Sequence, residues 1–462
     1  MFSIKNYLLP VLCFLPGLPV SAQQDLSLKQ AVNIAVKNYG TLNAKQSYAA
    51  ASGAAVAQAR RDYLPNVNLA AQQDYGTVNG QNGPLYGFGG LSVASSGLPL
   101  AVQNWNAAFG SLYLTNINWD FFAFGRARAK VGAAKAAADR DDKDWQQEVF
   151  RHEIRVAAAY LNLLAARQLR KSYEKNLQRS DTIRYVVTAR ALNGLVAGVD
   201  SSQANAERSA AQIALTRALD AEQEQSNQLA QLMGIPPQEF VLDTFFMTRV
   251  PDISNDSLST EHHPLLEWYK SRVAVSNQQS HYFKTFYYPA FTLVGVLQTR
   301  GSGFGNGYAS NQNDFTQSYT TGISPTRTNY LVGVGLTWNI TQPLRISQQV
   351  KAQQLTSKGL EYEYELADQQ VKAQLQLSET KIRNALDNYR EAPAQVKAAS
   401  DVYNQKSVLY KNGLTNMVDV TQTMYALVRA ETDRDIAYNN VWQALLLKAA
   451  AAGDFSLFEQ QL

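Results

Sequence analysis

Two hydrophobic periods alternate along the chain. Residues 26–62 are Ala-rich at helical spacing. From 66 to 75 the period drops to two, with Val67, Leu69, Ala71 and Tyr75 on one side and Asn66, Asn68, Gln72 and Asp74 on the other. That alternation predicts a strand. Residues 76–110 hold eight Gly and no charge, which reads as a long loop. A second alternating run, 113–121, sets Tyr113, Ile117, Trp119 and Phe121 against Asn116, Asn118 and Asp120. The stretch Ala127–Leu192 then has no Pro and only Gly132, and predicts a helix of about 100 Å. Its apolar positions follow heptad lines: Val149, Val156, Leu163 and Leu177, with Trp145, Ala159, Ala166, Tyr173 and Val187 beside them. Asn193-Gly194 turns the chain, and an Ala-rich return helix runs from about Asp200 to Met233.

The second half repeats the order. Phe291–Thr299 and Tyr330–Ile340 read as strands around a Gly/Ser/Asn loop over 301–328. A helical run over 346–411 is interrupted by Gly359 and Pro393, Asn412-Gly413 turns the chain, and 418–452 returns. Trp119 and Trp338, Arg126 and Arg345, Gly194 and Gly413, Asp200 and Asp419, and Gln203 and Gln422 are all 219 apart, and Pro65 and Pro289 are 224 apart. A fixed offset of this kind indicates an internal duplication. The expected domains are a signal peptide (1–22), a first repeat (23–235), a linker (236–260), a second repeat (261–452) and a tail (453–462).

The first 22 residues carry Lys5, an apolar core Leu8–Leu18 and the small-residue site Val20-Ser21-Ala22, which predicts export with cleavage after Ala22. The competing reading, a retained anchor, meets a run too short to span a bilayer. The single cysteine, Cys13, leaves with that segment. The net charge of +4, with no basic block, gives no footprint for a nucleic-acid partner.

Four strands of about ten residues, each with one apolar face ending in aromatics, match tilted transmembrane strands. A soluble sandwich is the competing reading, but the opposite face of Asn, Gln, Thr, Gly and Asp suits a watery lumen better than a dry core. Four strands cannot close a membrane barrel, and an open edge in lipid leaves backbone groups unpaired. Both the strands and the long amphipathic helices therefore require oligomerisation. The expected fold class is an α+β membrane protein: a long α-helical coiled-coil barrel plus a transmembrane β-barrel shared between chains.

The stretch Gly194-Leu195-Val196-Ala197-Gly198-Val199-Asp200, and its counterpart Tyr410-Lys411-Asn412-Gly413-Leu414 with Val418-Asp419-Val420, are similar to the hairpin motifs of the TolC family of outer-membrane efflux proteins. The resemblance covers nearly all of the mature chain. It implies a homotrimer in the outer membrane of a Gram-negative cell, extending into the periplasm. Each chain would give four strands to a twelve-stranded barrel and helical rods to a tunnel that meets a periplasmic adaptor protein and an inner-membrane pump. The implied function is the passive exit duct of a tripartite efflux or type I secretion system. A non-conducting, envelope-spanning scaffold is the alternative.

No catalytic set and no cofactor motif are found. His262-His263 lacks companion ligands at metal spacing and suits a helix start. Gly301–Gly305 lacks the Lys-Ser/Thr of a phosphate loop. Asp200 and Asp419 admit two readings: helix N-caps, or functional carboxylates at the tunnel end. The resemblance implies a periplasmic gate in which Asp200 bonds Tyr410 and Asp419 forms a charged ring, with Gly194, Leu195, Gly413 and Leu414 as adaptor-docking turns. Two positions depart from the family pattern: its second ring aspartate falls on Gln422 and its gating arginine on Thr415.

Overall fold

The computed structural model describes residues 25–80, 87–88, 91–92, 98–243, 245–252 and 259–461. The expected signal peptide, Lys5, Cys13, and parts of the loop 76–110 and of the linker lie outside the described residues. The order is α1 (Leu28–Asn38), α2 (Gly40–Arg61), β1 (Asn66–Thr77), the two-residue strands β2 (Gly87–Phe88) and β3 (Leu91–Ser92), β4 (Ala107–Phe122), α3 (Arg126–Leu192), α4 (Gly198–Met233), α5 (Phe245–Thr248), α6 (Pro264–Lys284), β5 (Ala290–Ser302), α7 (Tyr319–Ile323), β6 (Arg327–Thr337), α8 (Gln342–Lys411), α9 (Met417–Ala452) and α10 (Ser456–Glu459). The succession helix, strand, strand, long helix, return helix thus occurs from α2 to α4 and from α6 to α9. Two compact units emerge: Met1–Asn43 with Glu148–His263 and Gln369–Leu462, and Ala44–Gln147 with Pro264–Asp368.

The second unit holds a four-stranded antiparallel sheet in the order β1-β4-β5-β6. Its rungs run Val67–Ile117–Gly295–Val332 and Leu69–Thr115–Leu297–Tyr330. All four predicted apolar faces therefore fall on one side of the sheet. That side is open: Leu69 is 80% exposed and Tyr330 82%. The other side carries Asn66, Asn68, Asn116 and Asn118, but also Val294, Val296, Leu112, Leu114 and Leu331, so it is less uniformly polar than expected. Strands β1 and β6 have no outer partner among the described residues.

Aromatic side chains gather at both ends of the apolar face. Near the helices stand Trp119, Phe121, Phe122, Phe124, Tyr288 and Phe291, in a chain of ring contacts. Trp119 Nε1 donates to the Tyr63 carbonyl at 2.7 Å, and Trp338 Nε1 to that of Tyr287 at 3.2 Å. At the far end Phe109 contacts Tyr75 and Tyr319. There α7 lies against the sheet, with Ser111 Oγ donating to the Ile323 carbonyl at 3.0 Å. A Cβ on Gly322 would meet the Phe109 carbonyl at 2.5 Å, so only Gly allows this approach. The loop before α7 closes on itself through Phe304, Tyr308 and Phe315 and through Asp314, whose carboxylate accepts from Gly307 N at 2.8 Å.

In the first unit the core joins Leu28, Tyr160, Leu229, Phe246, Trp442 and Phe458. Leu242 and Phe246, in the expected linker 236–260, and Phe458, in the expected tail 453–462, are buried core residues. Such apolar side chains gain roughly 1.5–3 kcal/mol each by leaving water, which draws these segments onto the helices. Leu26 and Leu242 form a parallel bridge, and the Tyr160 hydroxyl donates to the Leu26 carbonyl at 2.7 Å. The single helix expected over 26–62 is instead two, because Tyr39 is extended (φ −69°, ψ 118°) after a first helix opened by a Ser27–Gln30 capping box. Conversely, α8 runs unbroken through Pro393.

Candidate functional site: the two helical hairpin tips

Both hairpins close with the same backbone device. Gly194 (φ +70°) and Gly413 (φ +75°) are left-handed, a conformation that costs glycine nothing. Leu195 N donates to the Arg190 carbonyl and Gly194 N to that of Ala191; Leu414 N donates to Leu409 and Gly413 N to Tyr410. These paired bonds are the Schellman ending. The leucine after each glycine commonly folds back onto its helix in that motif. Here Leu195 is 67% exposed and Leu414 72%, leaving an apolar side chain bare at each tip.

The N-cap reading of the aspartates is corrected. Ala197 caps α4 and Asn416 caps α9, so Asp200 and Asp419 are each third in their helix. Both still sit in the first turn, where a carboxylate suits the helix dipole.

The structure brings Asp200 and Tyr410 together: the Tyr410 hydroxyl donates to Asp200 Oδ2 at 3.2 Å. Tyr410 is buried in a small core with Val187, Ala204, Met417 and Val420. Burial, then the Asp200 charge and its hydrogen bond, push the phenol up to about 12. Asp419 does not join that pair. Lys406 Nζ and Thr415 Oγ1 each donate to its Oδ2 at 2.7 Å, and these two bonds hold its carboxyl below the usual range, with the lysine contributing most. The negative charge expected of Asp419 is thus offset within its own chain. Gln422 is exposed one turn along α9.

Two members of the site were missed by sequence reasoning. Arg190, in the last turn of α3, donates through Nη1 to the carbonyls of Tyr410 (2.9 Å) and Lys411 (2.5 Å), closing the end of α8. Tyr425 on α9 donates to Glu207 on α4 at 2.5 Å, a second phenol–carboxylate tie; that bond, then burial, pushes its phenol up to about 12. Glu207 lies seven residues after Asp200, and that heptad spacing could have found it. Of the histidine pair, His263 is buried at the start of α6, its Nε2 3.2 Å from the Ala450 carbonyl. No group of potential metal ligands occurs among the described residues.

Comparison with known proteins bears on the fold. Residues 31–235 match the family described as outer membrane efflux protein. No match is found among curated proteins. Among solved structures, the outer membrane protein VceC of Vibrio cholerae is similar at a TM-score of 0.72 and 17% identity, covering 92% of this chain and 96% of its own. The Campylobacter jejuni CmeC outer membrane channel gives 0.74 and 14%, covering 92% and 85%. The open state of the Neisseria gonorrhoeae MtrE outer membrane channel gives 0.71 and 15%, covering 92% and 89%. The fold of the chain is that of these channels, and residues 31–235 resemble the outer membrane efflux protein family in sequence as well.

Proposed function

We propose that the protein is the outer-membrane exit duct of a tripartite efflux or type I secretion system, a homotrimer that carries solutes passively from periplasm to exterior. The observation that carries this reading is the sheet, with its apolar face between two aromatic girdles and its two open edges. From Phe109 to Trp119 is ten residues, about 34 Å along a strand; a tilt of about 40° reduces this to about 26 Å. The apolar band of outer-membrane barrels is about 25 Å tall. A second copy of the chain is the natural partner for each open edge, since an unpaired edge in lipid costs several kcal/mol per group. Three copies give twelve strands.

In this reading the two runs of elements are duplicated repeats. The hairpin tips lie at the periplasmic end, where the Asp200–Tyr410 tie helps keep the resting tunnel closed. The bare Leu195 and Leu414, beside the Gly194 and Gly413 turns, meet an adaptor protein that couples the duct to an inner-membrane pump. Size measurement in detergent and planar-bilayer recording test the proposal together. A trimer that opens discrete conductance steps is expected. A stable monomer removes the shared barrel, and a trimer that never conducts favours the scaffold.

A further inference from the structure

At the end of the sheet farthest from helices α2, α3, α6 and α8, Arg300 of β5 and Arg327 of β6 occupy directly opposed register positions, and both are exposed. Their rung continues through Leu112 to Gln72, so they share the face of Asn66, Asn68, Asn116 and Asn118. Side chains so placed lie about 5 Å apart at Cβ, and like charges there repel. Two rungs inward the pair on the same strands is Gln298 and Asn329, which would have served solubility without repulsion. The acidic strand residue near this end of the face is Asp74, which accepts from Gln72 Nε2 at 2.8 Å. Strand β4 separates it from Arg300, a gap of about 10 Å. Among the strand residues at this end of the face, two guanidinium groups stand against one carboxylate, at the cost of a mutual repulsion; Arg300 Nη2 donates to Gln298 Oε1 at 3.4 Å, and Asp314 of the adjoining loop is held by the Gly307 amide.

We propose that Arg300 and Arg327 form an anion site at the outer mouth of the duct, and that its occupant is the carboxylate or phosphate of a passing solute. The proposal rests on the barrel reading above, in which this face lines the lumen. Three copies then place six guanidinium groups around the mouth, against three Asp74 carboxylates. The planar guanidinium fork fits a carboxylate or phosphate with two parallel hydrogen bonds, which a lysine cannot copy. A charged, narrow passage also concentrates ions of the opposite sign. The duct therefore favours anionic solutes at its exit, a selectivity separate from anything set at the hairpin tips. A lipid phosphate has the same chemistry, but it would reach these side chains only if this face met the bilayer.

The test uses the full trimer in planar bilayers of phosphatidylcholine alone. Reversal potentials in a KCl gradient are measured for the wild type, the pair Arg300→Gln with Arg327→Gln, and the pair Arg300→Lys with Arg327→Lys. Citrate is then added from the loop side. The Gln pair is expected to lower the chloride-to-potassium permeability ratio by about threefold or more and to abolish block by citrate. The Lys pair should keep the ratio but weaken the block. Removing a repulsion should not harm assembly, which the size of the trimer verifies. Gln channels with an unchanged ratio and unchanged block overturn the proposal. So does arginine-dependent binding of phosphatidylglycerol vesicles by a protein whose channel ignores citrate, because the arginines then face lipid. If the wild type forms no channel at all, the barrel reading fails, and this proposal falls with it.

Discussion

Arg190 and Tyr410 are joined twice. The guanidinium lies 5.7 Å from the centre of the Tyr410 ring and donates to the Tyr410 carbonyl at 2.9 Å. The arginine thus fixes the end of α8 from which the Tyr410 hydroxyl reaches Asp200. Arg190→Ala should weaken the tip by about 1–2 kcal/mol, the usual worth of charged hydrogen bonds in a partly exposed place. Faster amide exchange over 408–414 is the readout; exchange at the wild-type rate would show that Arg190 positions nothing.

Tyr410→Phe combined with Asp200→Ala should raise conductance and admit large antibiotics. The bond is charge-assisted but long, so roughly 1.5 kcal/mol per chain is expected, and three chains act together. Planar-bilayer recording and antibiotic sensitivity of cells check this. A double variant that conducts like the wild type would leave Tyr410 a purely structural residue.

The same tie sets an alkaline limit. The Tyr410 and Tyr425 phenols are raised in the folded protein, each to about 12 from an ordinary value of 10. A raised value means that the protonated phenol is the form the fold prefers. Their contribution is complete below pH 10 and is lost as pH climbs through about 12. Open probability should therefore rise in that window for the wild type. Tyr410→Phe combined with Tyr425→Phe should flatten the rise, and an equally steep rise in that variant would assign it to other groups.

Glu153 gives a case of the same sign near neutral pH. Burial, with a smaller push from Glu459, raises its carboxyl from 4.5 to about 7. The folded protein then holds a proton between those values that the unfolded chain has released, so this group's contribution falls as pH rises through the window. Glu153→Gln should stabilise the protein by about 1–3 kcal/mol at pH 8 and by nothing at pH 4. Denaturant midpoints at the two pH values decide it, and a gain of equal size at both would refute the assignment.

Asp419→Ala should shift ion selectivity more than gating. Lys406, which now donates to that carboxylate at 2.7 Å, would be left with its charge uncompensated there. The expected shift is toward anions, read as a reversal potential in a salt gradient. A shift toward cations would contradict this placement of charge.

Much of the fold was legible because it rests on periodicity and on glycine. The alternation of Val67, Leu69 and Ala71, and of Tyr330, Val332 and Val334, placed those residues on one face, and the register keeps them there. Gly194 and Gly413 marked the turns because few other residues take positive φ. The missed features depend on contacts far apart in the chain. Arg190 acts on backbone carbonyls 220 and 221 residues away, and an arginine in a last helical turn looks like any solvated one. The burial of Leu242 and Phe246 was hidden by Pro236, Pro237 and Pro251, which end helices without preventing the intervening chain from packing. The break at Tyr39 falls before a glycine in an otherwise continuous helical pattern, where local sequence does not choose between one helix and two.

The loop between β5 and β6 is pinned at both of its roots. A Cβ on Gly301 would lie 2.5 Å from the Ser324 carbonyl, one on Gly303 as close to that of Thr316, and one on Gly322 as close to that of Phe109. Asp314 is held by the Gly307 amide, and its own carbonyl accepts from Gly305. What is left to vary is the short tip around Ser310, which is exposed. Within this loop, that tip is where substitution meets the least resistance. An inserted epitope or affinity tag belongs there, where change leaves the sheet untouched.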